Sequence, residues 1–86
     1  MPGAATQVFS REFDAGLSRL PEKAAVLILE KISGIGLQLG TFSHYRMSGR
    51  DEFRLRVGDY RVIYNFDLAK NEIYLLTLGH RREVYR

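Results

Sequence analysis

Residues 53–64 read FRLRVGDYRVIY, and this stretch decides the fold. Its first five residues alternate between apolar and charged side chains, which is typical of a half-buried β-strand. Gly58-Asp59 follows, and glycine readily adopts the positive φ that a two-residue hairpin turn needs. Residues 60–66 are rich in aromatic and β-branched side chains and predict the returning strand. Residues 72–79 predict a third strand, so we expect a three-stranded antiparallel meander.

A two-residue turn would fix the register of the first two strands. Arg56 then lies directly opposite Arg61, and Arg54 lies opposite Ile63 on the same face. Like charges in a direct cross-strand pair destabilise a sheet by about 0.2–1 kcal/mol. An anion between the two guanidiniums would turn this repulsion into attraction, because the arginine fork suits phosphate or carboxylate. Alternatively, both arginines extend into solvent, and Asp51, Glu52 or Asp59 reduces the repulsion between them.

The third predicted strand leads into a basic segment, HRREVYR at residues 80–86. Alternation puts Arg81 on one face of the sheet, but residues 73–76 are apolar on both sides, so the pattern does not decide which face. If Arg81 joins the other arginines, the cluster ends close to Tyr85. Positive neighbours lower the pKa of a phenol from its usual value of about 10. A tyrosine among arginines can therefore act as a general base or acid in phosphoryl chemistry. Tyr45 and the remaining tyrosines are interpreted as strand packing.

The first half of the chain predicts a short strand and two helices. Residues 7–9 are expected to form an edge strand, and Ser10 is a candidate N-cap for the first helix. Apolar residues recur at helical spacing in that helix, namely Phe13, Leu17 and Leu20. Pro21 separates it from a second helix, which is expected to pack beside it as an αα-hairpin over one face of the sheet.

The second helix is predicted to run to about Ser33, with Gly34 as its C-cap. Its buried face is expected to hold Ala24 or Ala25 together with Leu27, Ile28 and Ile32. Residues 34–40 contain three glycines and predict a loop, as does the polar stretch 44–51. The prediction is an α+β fold in one domain spanning residues 1–86, with residues 1–5 disordered.

Composition excludes several functional classes. The 86 residues are 45% hydrophobic and contain no cysteine, which excludes disulfides and thiolate metal sites. The longest apolar run, residues 24–29, is far too short to cross a membrane, and no signal-peptide pattern opens the chain. His44 and His80 have no partners at metal-ligand spacing, and no nucleotide-binding or hydrolase motif occurs.

Charge is concentrated in the second half. The net charge is +3, and residues 1–42 are balanced, so the whole excess lies in residues 43–86. Eight of the nine basic residues there are arginines, the exception being Lys70. Arginine interleaved with tyrosine suits bidentate and stacking contacts with a polyanion. The modest excess favours a local nucleic-acid or acidic-peptide site over a surface that coats DNA.

Two segments carry a family resemblance, LRVGDYRVIY at residues 55–64 and GHRREVY at residues 79–85. Together with the helix LPEKAAVLILEKI, they resemble the RelE/ParE superfamily of bacterial and archaeal toxins over nearly the whole chain. The resemblance implies a β-α-α-β-β-β fold, in agreement with the pattern above.

The RelE branch of this superfamily consists of endoribonucleases that cut mRNA with the ribosome and need no metal or cofactor. Resemblance to that branch implies that Arg61, Arg81 and Tyr85 are catalytic and that Arg54, Arg56 and Arg82 bind the substrate phosphates. Arg61 would hold the scissile phosphate, Arg81 would stabilise it or protonate the leaving group, and Tyr85 would be the general base on the ribose 2′-hydroxyl. Glu52 departs from the pattern, because some RelE enzymes have a lysine there.

Two other functions remain open. ParE-type members inhibit DNA gyrase instead of cutting RNA, and a degenerate member would only bind its antitoxin. For each function the resemblance implies a cognate antitoxin as partner, a toxin–antitoxin hetero-oligomer and a cytoplasmic location. For the RelE branch, mRNA and the ribosome are further partners.

Overall fold

The predicted hairpin and its register are confirmed in the computed structural model, which describes residues 3–80. Seven elements are found in this part of the chain: β1 (Thr6–Phe9), α1 (Arg11–Ser18), α2 (Glu22–Leu37), β2 (Tyr45–Arg46), β3 (Phe53–Val57), β4 (Tyr60–Asp67) and β5 (Glu72–His80). Gly58 has a φ of +60° at the turn, which is typical of a type II′ hairpin with glycine at its first central position. Arg56 lies opposite Arg61, as the two-residue turn requires.

The strands form one mixed sheet in the order β1-β5-β4-β3-β2. β1 is an edge strand and runs parallel to β5, whereas the other neighbours are antiparallel. β2 corrects the prediction of a continuous loop over residues 44–51. It is only two residues long and pairs with Arg54 and Phe53, so it lacks the alternating pattern by which longer strands are recognised. The α+β class is confirmed.

Both helices pack on one face of the sheet. Ser10 caps α1 as predicted, because its hydroxyl oxygen accepts a hydrogen bond from the Phe13 amide at 3.0 Å. Gly16 lets α1 approach β5 closely, since a Cβ at this position would overlap the Leu78 carbonyl oxygen. Leu17 and Leu20 pack against the core, as their helical spacing predicts.

α2 is longer than predicted and continues through Gly34 to Leu37. The prediction of a C-cap at Gly34 and a loop over residues 34–40 is therefore wrong in its first half. Glycine inside a helix costs about 1 kcal/mol relative to alanine, but the extra turn buries Ile35 to 2% exposure. Full burial of such a side chain contributes about 1.5–3 kcal/mol, which is comparable to the combined cost of Gly34 and Gly36.

The buried face of α2 also differs from the prediction in one residue. Ile28 and Ile32 are fully buried as expected, whereas Leu27 is 47% exposed. The buried residues Ile28, Ile32 and Ile35 are spaced four and three residues apart and form one stripe along the helix. Leu27 lies beside that stripe. With the inward side chains of the sheet these residues form the core, whose largest fully buried members are Tyr64, Phe13, Ile28, Ile32, Ile73, Leu75 and Val62.

The start of the described chain is held against the fold. Ala5 is 6% exposed, and its amide donates to the Gly36 carbonyl at 2.9 Å. The Gly3 carbonyl accepts a hydrogen bond from the Asn71 side chain at 3.0 Å. The expected disorder therefore does not extend to Ala5, because the last turn of α2 and the β4–β5 turn give this segment partners that the sequence pattern does not reveal.

Candidate functional site

Three of the predicted site residues lie on the sheet face opposite the helices. Arg54 and Arg56 alternate with the inward side chains of β3, and Arg61 lies in β4 directly opposite Arg56. On its other side Arg61 pairs with Gly79 of β5, which has no side chain to crowd it. We call the surface formed by Arg54, Arg56 and Arg61 the arginine face.

The three arginines differ in burial. Arg61 is 9% exposed, Arg54 is intermediate and Arg56 is exposed. Nη1 of Arg61 donates to the Tyr60 carbonyl at 3.5 Å, a long hydrogen bond. Burial of Arg61 lowers the local dielectric, so its guanidinium attracts a nearby anion more strongly than a solvated one would.

Two of the three acidic residues expected to relieve the arginines contact other cations instead. Asp51 lies 3.4 Å from Nη1 of Arg46, and Glu52 lies 3.6 Å from Nη1 of Arg50. Surface ion pairs of this kind contribute about 0–1 kcal/mol. Glu52, the departure from the family pattern, is thus matched with Arg50 beside the site.

An open groove with a volume of about 370 Å³ lies near the edge of the sheet that β2 and β3 form. All three residues of the arginine face line it, together with Phe42, Ser43, Tyr45 and Leu55. Tyr45 is 62% exposed, and the guanidinium carbon of Arg54 lies 4.4 Å from its ring centroid. The interpretation of Tyr45 as strand packing is therefore wrong, because β2 is an edge strand and points this ring outward.

His44 anchors the segment that carries Tyr45. Its Nε2 lies 2.8 Å from the Leu39 carbonyl oxygen, which can only accept, so Nε2 carries the proton. With the proton on Nε2, Nδ1 accepts a hydrogen bond from the Tyr64 hydroxyl at 2.6 Å. The His44 ring also stacks on Phe66 with centroids 4.1 Å apart. A signal for this role is present in the aromatic run Phe42-Ser43-His44-Tyr45, but its partners are distant in sequence.

Tyr64→Phe should lower the free energy of unfolding by about 1–3 kcal/mol near pH 8, because Nδ1 of His44 loses its donor. Burial raises the pKa of Tyr64 from 10.0 to about 12. The stabilisation by the neutral hydroxyl is therefore fully present below pH 10 and is lost as the pH rises towards 12. The difference between wild type and variant should shrink at high pH, as urea unfolding at pH 8 and pH 11 would reveal.

A constant difference between these two pH values would show that the pKa of Tyr64 is the same in the folded and unfolded protein, so that burial does not raise it. Tyr74 provides the internal control. Its pKa is also raised to about 12, first by its hydrogen bond to Glu72, and it is present in both proteins. Its contribution to the alkaline loss of stability therefore cancels in the comparison.

The remaining predicted site residues, Arg81, Arg82 and Tyr85, lie outside the described residues. Within residues 3–80 no cluster of three or more histidine, cysteine or acidic side chains is arranged to hold a metal ion. None of the helices in that range is long and apolar enough to span a membrane.

The fold and the matched family define the class of protein. A short strand, two helices and a mixed five-stranded sheet are consistent with a RelE-like fold. Residues 8–85 match the family described as ParE toxin of type II toxin-antitoxin system, parDE. The chain therefore belongs to this family of toxins. Among curated protein sequences, none gives a significant match.

Solved structures share the fold over nearly the whole chain. A chain of the RelBE2 toxin–antitoxin complex from Mycobacterium tuberculosis is 23% identical, with a TM-score of 0.74 and coverage of 94% of this chain and 95% of that one. A chain of the archaeal RelE–RelB complex from Pyrococcus horikoshii OT3 is 25% identical, with a TM-score of 0.72 and coverage of 91% of this chain and 96% of that one. A chain of the intact E. coli RelBE complex is 15% identical, with a TM-score of 0.76 and coverage of 90% of this chain and 96% of that one.

Proposed function

We propose that this toxin is a metal-independent endoribonuclease that cuts mRNA on the ribosome and so inhibits translation. The observation that supports the proposal is the arginine face, where Arg56 and Arg61 are held side by side although they repel each other. Arginine forks match the oxygens of phosphate, and an RNA backbone would neutralise the pair. Gyrase inhibition has no chemical use for the set Arg61, Arg81 and Tyr85.

In the proposed reaction Arg61, Arg81 and Tyr85 are the catalytic residues. The Tyr85 oxygen takes the proton of the ribose 2′-hydroxyl, and the 2′-oxygen forms a bond to phosphorus. The bond from phosphorus to the 5′-oxygen breaks, which leaves a 2′,3′-cyclic phosphate, and Arg81 donates the proton that converts the departing 5′-oxygen into a hydroxyl. Arg61 stabilises the charge that develops on the phosphorane. Arg54, Arg56 and Arg82 bind the adjacent backbone.

A second candidate is inhibition of DNA gyrase, which the match to the ParE family favours. A third is a member that only binds its antitoxin. These readings differ in their use of the catalytic set, because a protein that only binds does not require a general base. Ribosome-bound mRNA and DNA gyrase both lie in the cytoplasm, and we propose that the protein acts there.

Induction in a bacterial host would test the target. Protein synthesis, the 5′ ends of transcripts and the DNA damage response would be followed together after induction. Arrest of translation with new transcript ends supports the ribonuclease. DNA breaks without new transcript ends would overturn it in favour of gyrase inhibition, and normal growth would support the third candidate.

We further infer a cognate antitoxin as partner, as in the solved complexes named above. Two surfaces suit its docking. One is the arginine face, which an acidic segment would cover. The other is the outer side of α2, where Val26, Leu27 and Leu37 are 48%, 47% and 71% exposed and would accept an amphipathic segment.

Salt dependence should distinguish these two surfaces. If the antitoxin covers the arginine face, its affinity should fall markedly between about 0.1 M and 1 M salt, as the Debye length shortens from about 10 Å to 3 Å. Titration of the purified toxin with its antitoxin at both salt concentrations is the measurement. Nanomolar binding that does not change with salt would instead indicate the apolar side of α2.

A further inference from the structure

Tyr45 is an exposed aromatic ring at the edge of the arginine face. It pairs with Arg54 in the register between β2 and β3, and the Arg54 guanidinium carbon lies 4.4 Å from the ring centroid. The other described tyrosines are used by the fold, and Tyr60 packs against the core. Tyr64 is buried in the core, and the Tyr74 hydroxyl donates to Glu72 at 2.6 Å.

The residues on either side of Tyr45 anchor the strand that carries its ring. His44 is fixed by hydrogen bonds to Leu39 and Tyr64, and the Arg46 guanidinium carbon lies 5.0 Å from the Phe53 ring centroid on the opposite face of the sheet. Because neighbours in a strand point to opposite faces, these anchors present the Tyr45 ring outward. A ring held in this way loses little conformational entropy when a ligand stacks on it.

The groove connects this ring to the arginine pair. Tyr45, Arg54, Arg56 and Arg61 line the same cavity of about 370 Å³. Tyr45 lies two strands away from Arg61 and is offset from it by two residues along the strands, which corresponds to a diagonal separation of roughly 12 Å. A ligand that spans this distance would place an anionic group on the arginine pair and a flat ring on Tyr45.

We propose that Tyr45, supported by Arg54, is a stacking platform for an unpaired nucleobase of the RNA whose phosphate lies on Arg56 and Arg61. The proposal rests on the ribonuclease function proposed above and adds a subsite to it. Proteins that recognise single-stranded RNA stack splayed bases on aromatic rings and on guanidinium planes. Such stacking tolerates any base, because every base has a π face. The base belongs to a nucleotide one or two positions from the cleaved phosphate.

The test combines protein variants with abasic RNA. Single-turnover cleavage of ribosome-bound mRNA would be measured against enzyme concentration for wild type, Tyr45→Ala and Tyr45→Phe. The same mRNA would be used with an abasic nucleotide at each position flanking the cut. Tyr45→Ala should raise the half-saturating concentration by about 5- to 150-fold, as expected for loss of one stacked base. Tyr45→Phe keeps the ring and should restore most of the affinity.

The decisive readout is the coupling between the two changes. At one nucleotide position, removal of the base should weaken wild type as much as Tyr45→Ala does, and the two losses should not add. A merely structural role for Tyr45 would weaken every RNA equally and add to each abasic loss, which would overturn the platform but leave the ribonuclease intact. A wild type that cuts no RNA would overturn both proposals.

A further variant distinguishes the loss of stacking from the loss of folding. Tyr45→Leu keeps a bulky apolar side chain on the edge strand but has no π face, so it should lose affinity like Tyr45→Ala. Urea unfolding of both variants would verify that the domain remains folded. Wild-type affinity in Tyr45→Leu would show that apolar bulk suffices and would contradict stacking.

Discussion

Arg61→Met should lower the single-turnover rate of mRNA cleavage on the ribosome by about 10²–10³-fold, the usual loss when one donor to a developing oxyanion is removed. Arg61 is the most buried member of the arginine face, at 9% exposure, so its guanidinium acts where water screens it least. Methionine retains an apolar stem of similar length, whereas alanine would also remove packing. The domain should stay folded, because one member of a repelling pair is removed.

The matched control is Arg50→Met. It makes the same substitution and the same change in charge at a residue that does not line the groove and pairs with Glu52 at 3.6 Å. Cleavage by this control should stay near that of wild type. If Arg61→Met unfolds at room temperature, Arg61 serves the fold and the proposed binding of phosphate between Arg56 and Arg61 is wrong. If both variants lose activity equally, the effect is one of overall charge.

The central hairpin was predictable because several local signals agree. Strict alternation, a Gly-Asp pair and an aromatic returning strand all specify one register. A slip by one residue would turn Leu55 and Val57 out of the core and the arginines into it. The positions of Arg54, Arg56 and Arg61 on one face follow from that register alone.

The end of α2 and the strand β2 were not predictable from local signals, because tertiary contacts decide both. Gly34 and Gly36 favour a helix end, yet burial of Ile35 and the hydrogen bond from Ala5 to Gly36 favour continuation. β2 exists because β3 offers it an edge and His44 ties it to Tyr64, which is 20 residues away in sequence. A single sequence does not reveal such pairings.

The residues of the candidate site also differ in whether local signals or tertiary contacts determine their position. The shared face of Arg54, Arg56 and Arg61 was predictable because strand alternation determines it, whereas Tyr45 was misinterpreted because its exposure depends on the unrecognised edge strand. The type of chemistry also depends on the side chains and not on the fold. RelE-like structures and a ParE family match coincide in this one chain, so the fold is compatible with either target.

Tyr85→Phe should lower the rate of mRNA cleavage by about 10²–10⁴-fold, the usual contribution of a general acid–base group. The substitution keeps the aromatic ring, leaves every arginine in place and removes only the ionisable oxygen. Ribosome binding should remain near that of wild type, because the arginines that supply affinity are unchanged. Single-turnover cleavage of mRNA in the ribosomal A site by the purified variant, with binding measured separately, is the appropriate assay.

The competing interpretation is that Tyr85 only stacks on a base or packs against the sheet. Phenylalanine stacks as well as tyrosine does, so that interpretation predicts nearly unchanged cleavage. Tyr60→Phe is a suitable control, because Tyr60 contacts His80 edge to face with centroids 6.1 Å apart and has no assigned role in the chemistry. A loss below about threefold in Tyr85→Phe would be too small for a general base. The chemistry would then belong to another residue, or the toxin would act without cutting RNA.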